Sequence, residues 1–193
     1  MIRRLYDWTM GLAGHRRATA ALAGVSFAES SFFPIPPDVV LIPMILANRQ
    51  KAFRYALIAT VFSVLGGLFG YAIGMFLFEA VGQPLLAFYG AAGKFADFSA
   101  SYNDQGAWIV FFFGVTPFPY KVITIASGAT QLDILVFLLA SVSARGLRFF
   151  LVATLLWWLG EPIRTFIEKY LGILTIVFMV LLIGSFVAIK FLL

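Results

Sequence analysis

Apolar positions run in long blocks along this chain, and short charged patches separate them. Residues 55–78 carry no charge over 24 positions, which exceeds the roughly 20 residues a helix needs to cross a hydrocarbon core. Residues 170–189 supply another 20. Residues 134–160 are also long enough, yet Arg145 and Arg148 fall near their middle. Two further apolar stretches are interrupted: 18–48 by Pro34, Pro36, Pro37 and Pro43, and 106–132 by Pro117 and Pro119. Proline lacks the amide donor and clashes with the preceding turn, so a helix is expected to stop at each break. The arms left on either side are about 10–15 residues long, too short to span, and read as re-entrant hairpins. Backbone groups freed at such a break must face protein or a wet cavity rather than lipid.

The flanks fit the same plan. Residues 1–17 interleave Leu5, Tyr6, Trp8 and Leu12 with Arg3, Arg4, Arg16 and Arg17, the pattern of a helix lying in the membrane interface. His15 reads as an interfacial surface residue. Residues 80–104 read as an amphipathic piece on the opposite face. Trp157 and Trp158, just before Gly160-Glu161-Pro162, fit an aromatic belt with a helix stop. Three units follow: an interfacial helix at 1–17, a membrane domain at 18–165 and a C-terminal transmembrane helix at 166–193.

The two breaks resemble each other. Pro34-Ile35-Pro36-Pro37-Asp38-Val39 and Pro117-Phe118-Pro119-Tyr120-Lys121-Val122 share proline, proline, charge and valine at matching places, 83 residues apart. An aromatic run precedes each and a crossing helix follows each. A hairpin returns to its own side and the helix after it crosses, so the second hairpin enters from the opposite face and the repeats are inverted, a recurring transporter plan. Residues 1–17 and 49–54 hold seven Lys/Arg against one acid, whereas 79–104 hold one against three. The positive-inside rule then opens the first hairpin from the cytoplasm. The expected fold is all-α and integral to the membrane: inverted repeats, each a re-entrant helical hairpin followed by a transmembrane helix, with the terminal helices added.

Composition sharpens this. Of the 193 residues, 62% are hydrophobic and only 12% are charged, against about 25% charged in an average soluble domain. A soluble enzyme, a disordered region and a nucleic-acid module are excluded on that ground. The net charge of +5 sits beside apolar runs and reads as a topology signal. There is no cysteine and one histidine, which excludes disulfides, thiolate metal sites and a multi-histidine centre, and no cofactor is expected. Residues 1–20 lack a clean apolar core and cleavage site, so no cleaved signal peptide is expected.

Five charges fall at membrane depth: Glu29, Asp38, Lys121, Arg145 and Arg148. Each costs at least about 2.5–3.5 kcal/mol when placed centrally in lipid, so such groups pair, line a cavity or neutralise. Arg145 and Arg148, three apart, share one helix face. Lys121, Arg145 and Arg148 are the candidate holders of an anionic group, aided by donors at the breaks marked by Pro34, Pro36, Pro117 and Pro119. Glu29 and Asp38 are the candidate proton carriers. The alternative is a purely structural set of pairs, such as Glu29–Arg148 or Asp38–Lys121. Gly66, Gly70 and Gly74 form a stripe for close helix approach, either within one chain or between two copies. Tyr71 beside that stripe and Ser127 after the second break are secondary candidates.

The run from Phe27 to Asp38 resembles the acidic re-entrant motif of the DedA family, bacterial membrane proteins with a VTT (SNARE-associated) domain. Gly66-Gly67, Gly70-Tyr71 and Gly74 are similar to its glycine–tyrosine helix. Thr116 to Val122, followed by Ala126-Ser127-Gly128, resembles its second re-entrant motif in the form of the shorter YqaA-like branch, and Arg145-Gly146 with Arg148-Phe149 fits that branch. The resemblance covers roughly residues 20–165. It implies facing hairpins in the bacterial inner membrane and movement of an anionic lipid between leaflets, either undecaprenyl phosphate or a phospholipid, with proton coupling and with Glu29 and Asp38 at the family's acidic positions. The main branch has an arginine three residues before the second motif's first proline. Gly114 stands there in this chain, and Lys121 is the next basic residue. The rival readings are a small-ion or proton-coupled transporter, an intramembrane lipid-modifying enzyme, and an assembly role. Membrane lipids with anionic headgroups are the expected partners, with a second copy of the chain if the glycine stripe packs between molecules.

Overall fold

The computed structural model describes residues 18–160 apart from 34, 91 and 117, and every described element is helical. The interfacial helix expected at 1–17, Pro34, Pro117 and everything from 161 onward, including the C-terminal helix, lie outside the described residues. Helix α1 (Ala18–Ser31) and α2 (Asp38–Ala47) flank the first break. A single 3-10 turn leads into α3 (Ala52–Leu77), which passes through a π turn at Phe78–Gly82 into α4 (Gln83–Phe88). Pro84 offers no amide to the Ala80 carbonyl, and the helix widens where that bond is lost. Helix α5 (Ala92–Asp104) precedes α6 (Gly106–Val115) and α7 (Tyr120–Ala129), which flank the second break. Helix α8 (Ile134–Gly160) closes the described chain.

Both breaks fall where the prolines put them. Pro43, however, sits inside α2 without stopping it. A buried proline here removes one amide bond, and packing of Leu41, Met44 and Ile45 in the core holds the short helix together across the gap. Among the described residues, the run Arg49–Phe88 and α8 are the two helices long and apolar enough to cross a membrane. At 1.5 Å per residue, α3 and α8 are each about 40 Å long.

Contacts fix the directions of the helices. Phe53 stacks near Trp157 and Phe150, Ser63 meets Arg145, and Tyr71 meets Phe137 and Leu132, so α3 and α8 run antiparallel along their length. Helix α1 runs parallel to α3, with Ala18 and Leu22 in the cluster around Ala52 to Ala59 and Ser31 at Gly66. Helix α6 runs parallel to α8: a Cβ on Gly106 would meet Leu132, and one on Gly114 would meet Ala144. Helices α2 and α7 turn back before α3 and α8 respectively.

Two apolar clusters occupy opposite ends. One joins α1, α2, the start of α3 and the end of α8 around Leu41, Ile45, Ala56 and Phe149. The other joins the end of α3 to α6, α7 and the start of α8 around Tyr71, Val110, Tyr120 and Phe137. Ser63 and Arg145, near the midpoints of α3 and α8, lie between them. The usual distribution is reversed at this level: Ser26, Ser30, Ser63, Thr124, Ser141 and Arg145 are fully buried, while Leu57, Val61, Phe69, Leu139, Leu151 and Leu155 face outward.

The glycine stripe is packed within the chain. Added Cβ atoms at Gly66 and Gly74 would run into the backbone carbonyls of Phe27 on α1 and Ile125 on α7. One at Gly70 would meet both Thr124 and the Ser30 carbonyl. Both arms therefore lie against the same face of α3 at backbone distance.

Candidate functional site

The site is built from four helix segments. Glu29 and Ser30 occupy the last turn of α1, and Asp38 opens α2. Ser63 projects from the middle of α3, Tyr120 opens α7, and Arg145 and Arg148 share one face of α8.

Arg145 is fully buried and held on several sides. Its Nη2 donates to Glu29 Oε2 at 2.9 Å and its Nε donates to Ser63 Oγ at 2.7 Å. The rings of Tyr120 and Phe149 each lie 4.8 Å from its guanidinium carbon, a geometry in which cation–π attraction adds to the ion pair. Ser30 Oγ is 2.7 Å from Ser63 Oγ and donates to Glu29 Oε2 at 3.2 Å. Ser30 has one hydroxyl proton and gives it to Glu29, so Ser63 is the donor to Ser30. Arg145, Ser63, Ser30 and Glu29 thus form a closed ring in which every donor points toward the carboxylate, an arrangement that strengthens its members.

Arg148 makes the second pair. Its Nη2 donates to Asp38 Oδ2 at 2.6 Å and its Nη1 donates to the Thr116 carbonyl at 3.2 Å. Asp38 follows the first break and Thr116 opens the second, so this one guanidinium ties both breaks together. A direct contact joins them too: the Thr124 hydroxyl on α7 shares its one proton between the Lys121 carbonyl at 2.9 Å and the Ser30 carbonyl at 3.1 Å. The breaks also match in detail: the Val39 amide donates to the Pro36 carbonyl at 3.2 Å, and the Val122 amide donates to the Pro119 carbonyl at 3.0 Å.

Four of the five expected charges therefore converge. The pairing differs from both candidate pairs, Glu29–Arg148 and Asp38–Lys121: Glu29 takes Arg145, and Asp38 takes Arg148. Successive positions on α8 explain this, because Arg145 points to the end of α1 and Arg148, one turn on, reaches past the break to α2. Lys121 is half-buried in the first turn of α7 and forms no ion pair among the described residues. Pro36 and Pro119 are half-buried and open the first turns of α2 and α7. Among the described residues no three His, Cys, Asp or Glu side chains gather as a metal site. Sequence reasoning missed Ser63, Ser30, Tyr120 and Thr116. Ser63 had one signal, as a polar residue near the middle of an uncharged span.

The two secondary candidates are structural. The Tyr71 hydroxyl donates to the Leu132 carbonyl at 2.7 Å, tying α3 to the turn before α8. Ser127 shares a 2.9 Å hydrogen bond with Tyr102, and Asn103 Nδ2 donates to the Thr130 carbonyl at 2.9 Å, so the end of α5 is pinned to the end of α7. Burial raises the Tyr102 phenol above its ordinary 10.0, and the Ser127 bond offsets part of that rise. The phenol is therefore protonated at neutral pH. Its contribution to stability is complete below pH 10.0 and is lost as pH rises through the folded value. Tyr102→Phe is expected to lower stability by about 1 kcal/mol and to flatten this alkaline limb, read by chemical denaturation at pH 7 and pH 11.

No family model and no solved structure matches the chain. An uncharacterized protein of Haemophilus influenzae is 38% identical over 170 residues, covering 88% of each chain. A protein of Histophilus somni described as an HI0703 homolog is 38% identical over 157 residues, covering 81% of this chain and 82% of its own. The chain belongs to the family of these two bacterial proteins.

Proposed function

We propose that this is a multi-pass protein of the bacterial inner membrane that moves a lipid with an anionic headgroup between leaflets, in the manner of the DedA family it resembles. One observation carries the reading: two arginines, each paired with a carboxylate, meet both proline breaks at mid-length of α3 and α8, inside a helical body with an apolar exterior. Groups at that depth are costly in lipid and are retained where a polar cargo or proton must pass. The inverted-repeat plan is supported by the antiparallel course of α3 and α8, and by the first arm of each break running parallel to the long helix that follows. Helices α2 and α3 begin 82 residues before α7 and α8, close to the 83 that separate the motifs.

In this reading Arg145, Arg148 and Lys121 attract the phosphate, and protonation of Glu29 or Asp38 loosens a pair so that a guanidinium can meet the headgroup. The test is purified protein in liposomes with labelled phospholipid or undecaprenyl phosphate in one leaflet. Wild type is expected to equilibrate the label. Arg148→Ala is expected to reduce the rate to that of protein-free vesicles. Wild-type rates in that variant would remove the site from the transport route. Proton flux without lipid movement would favour the small-ion reading, and a chemically altered lipid in detergent would favour the enzyme.

A further inference from the structure

The two ion pairs are not equivalent. The Arg145 pair is enclosed: the arginine side chain is 0% exposed and the Glu29 side chain 12%, and the ring through Ser63 and Ser30 closes around them. The Arg148 pair is more open, at 17% and 20%, and among the described residues Arg148 has no hydroxyl partner, only the Thr116 carbonyl and a Phe149 ring 6.0 Å away besides Asp38. Position in the helices separates them further. Glu29 lies in the last turn of α1, where the helix dipole disfavours a negative charge, so it depends on its arginine. Asp38 lies in the first turn of α2, where the dipole favours one, so it tolerates losing its arginine. Arg145 Nη1 is buried and has no hydrogen-bond partner among the described residues, a donor left over in the paired state.

We infer that the Asp38–Arg148 pair is the exchangeable one: Arg148 trades the Asp38 carboxylate for a phosphate oxygen of an anionic headgroup, while the Glu29–Arg145 ring stays shut and offers its spare Nη1 to a second phosphate oxygen. This rests on the transport reading for the identity of the ligand, but the exchange itself is a binding event and is measured without transport. Bidentate guanidinium–phosphate geometry makes phosphate a competent rival for the carboxylate. The charged and titratable groups around the exchange are Glu29 on α1, Asp38 on α2, Tyr120 on α7 and Arg145 on α8.

The experiment titrates detergent-solubilised protein with inorganic phosphate and, separately, with dihexanoyl phosphatidic acid, by calorimetry. Asp38→Asn removes the competing charge and is expected to tighten binding about tenfold, or 1.4 kcal/mol, with little change in melting temperature. Glu29→Gln is expected to lower the melting temperature and not to tighten binding, because it opens the ring that holds Arg145 in place. Arg148→Gln is expected to abolish binding, and it reads the site independently should Asp38→Asn fold poorly. Tightening by Glu29→Gln in place of Asp38→Asn, or phosphate binding that survives in Arg148→Gln, overturns the proposal. Tighter binding of the lipid-borne phosphate supports exchange with a headgroup, and equal binding of both probes supports exchange with the free ion. Lipid movement in vesicles without phosphate binding at Arg148 overturns this inference alone. Phosphate exchange without lipid movement leaves it standing and overturns the transport reading.

Discussion

Glu29→Leu is expected to destabilise the protein by about 3–5 kcal/mol, because it leaves the Arg145 guanidinium buried without its counter-ion. The variant also removes the acceptor at which the donors of Ser30 and Arg145 converge. The double variant Glu29→Leu/Arg145→Met is expected to recover most of the loss, since replacing a buried pair by apolar residues is often neutral. A double-mutant cycle on the thermal or denaturant stability of detergent-solubilised protein checks both parts. Additive losses would mean that the two residues do not act as a pair.

The second large effect is at the glycine stripe. A Cβ at Gly66 or Gly74 strikes a backbone carbonyl, which cannot turn aside as a side chain would. Gly66→Val is therefore expected to lift α1 from α3 and to cost at least the 1–3 kcal/mol typical of overpacking. Gly24 supplies the opposite sign in the same protein. It lies in α1 with nothing within 4 Å of an added Cβ, so Gly24→Ala is expected to gain about 1 kcal/mol from helix propensity. Melting temperatures of the two variants that shift in the same direction would refute the packing account.

Much of the architecture was legible in advance because its signals are local. An uncharged run such as 55–78 announces a long helix, and clustered prolines announce a stop, so α3, α8 and both breaks fall where the pattern puts them. The charged residues that would converge were also visible, since ionisable groups inside apolar blocks stand out. Their partners were not. Which arginine meets which acid depends on how far α8 is rotated against α1 and α2, and spacing within one helix does not carry that information. Ser63 and Ser30 were hidden for a different reason, because a serine in an apolar helix commonly bonds to its own backbone and gives no sign of a distant partner. Pro43 misled in the other direction: tertiary packing kept α2 intact across a missing amide bond.

The smooth face of α3 has a mechanical consequence. Helices usually interlock through side-chain ridges that seat in the grooves of their neighbours, and sliding one past another means unseating each ridge. Where Gly66, Gly70 and Gly74 meet α1 and α7, such ridges are missing on one side. The two arms are gripped against separation but meet few steric detents along the axis, so what resists lengthwise shear there is a short set of hydroxyl contacts, those of Ser30, Ser31 and Thr124.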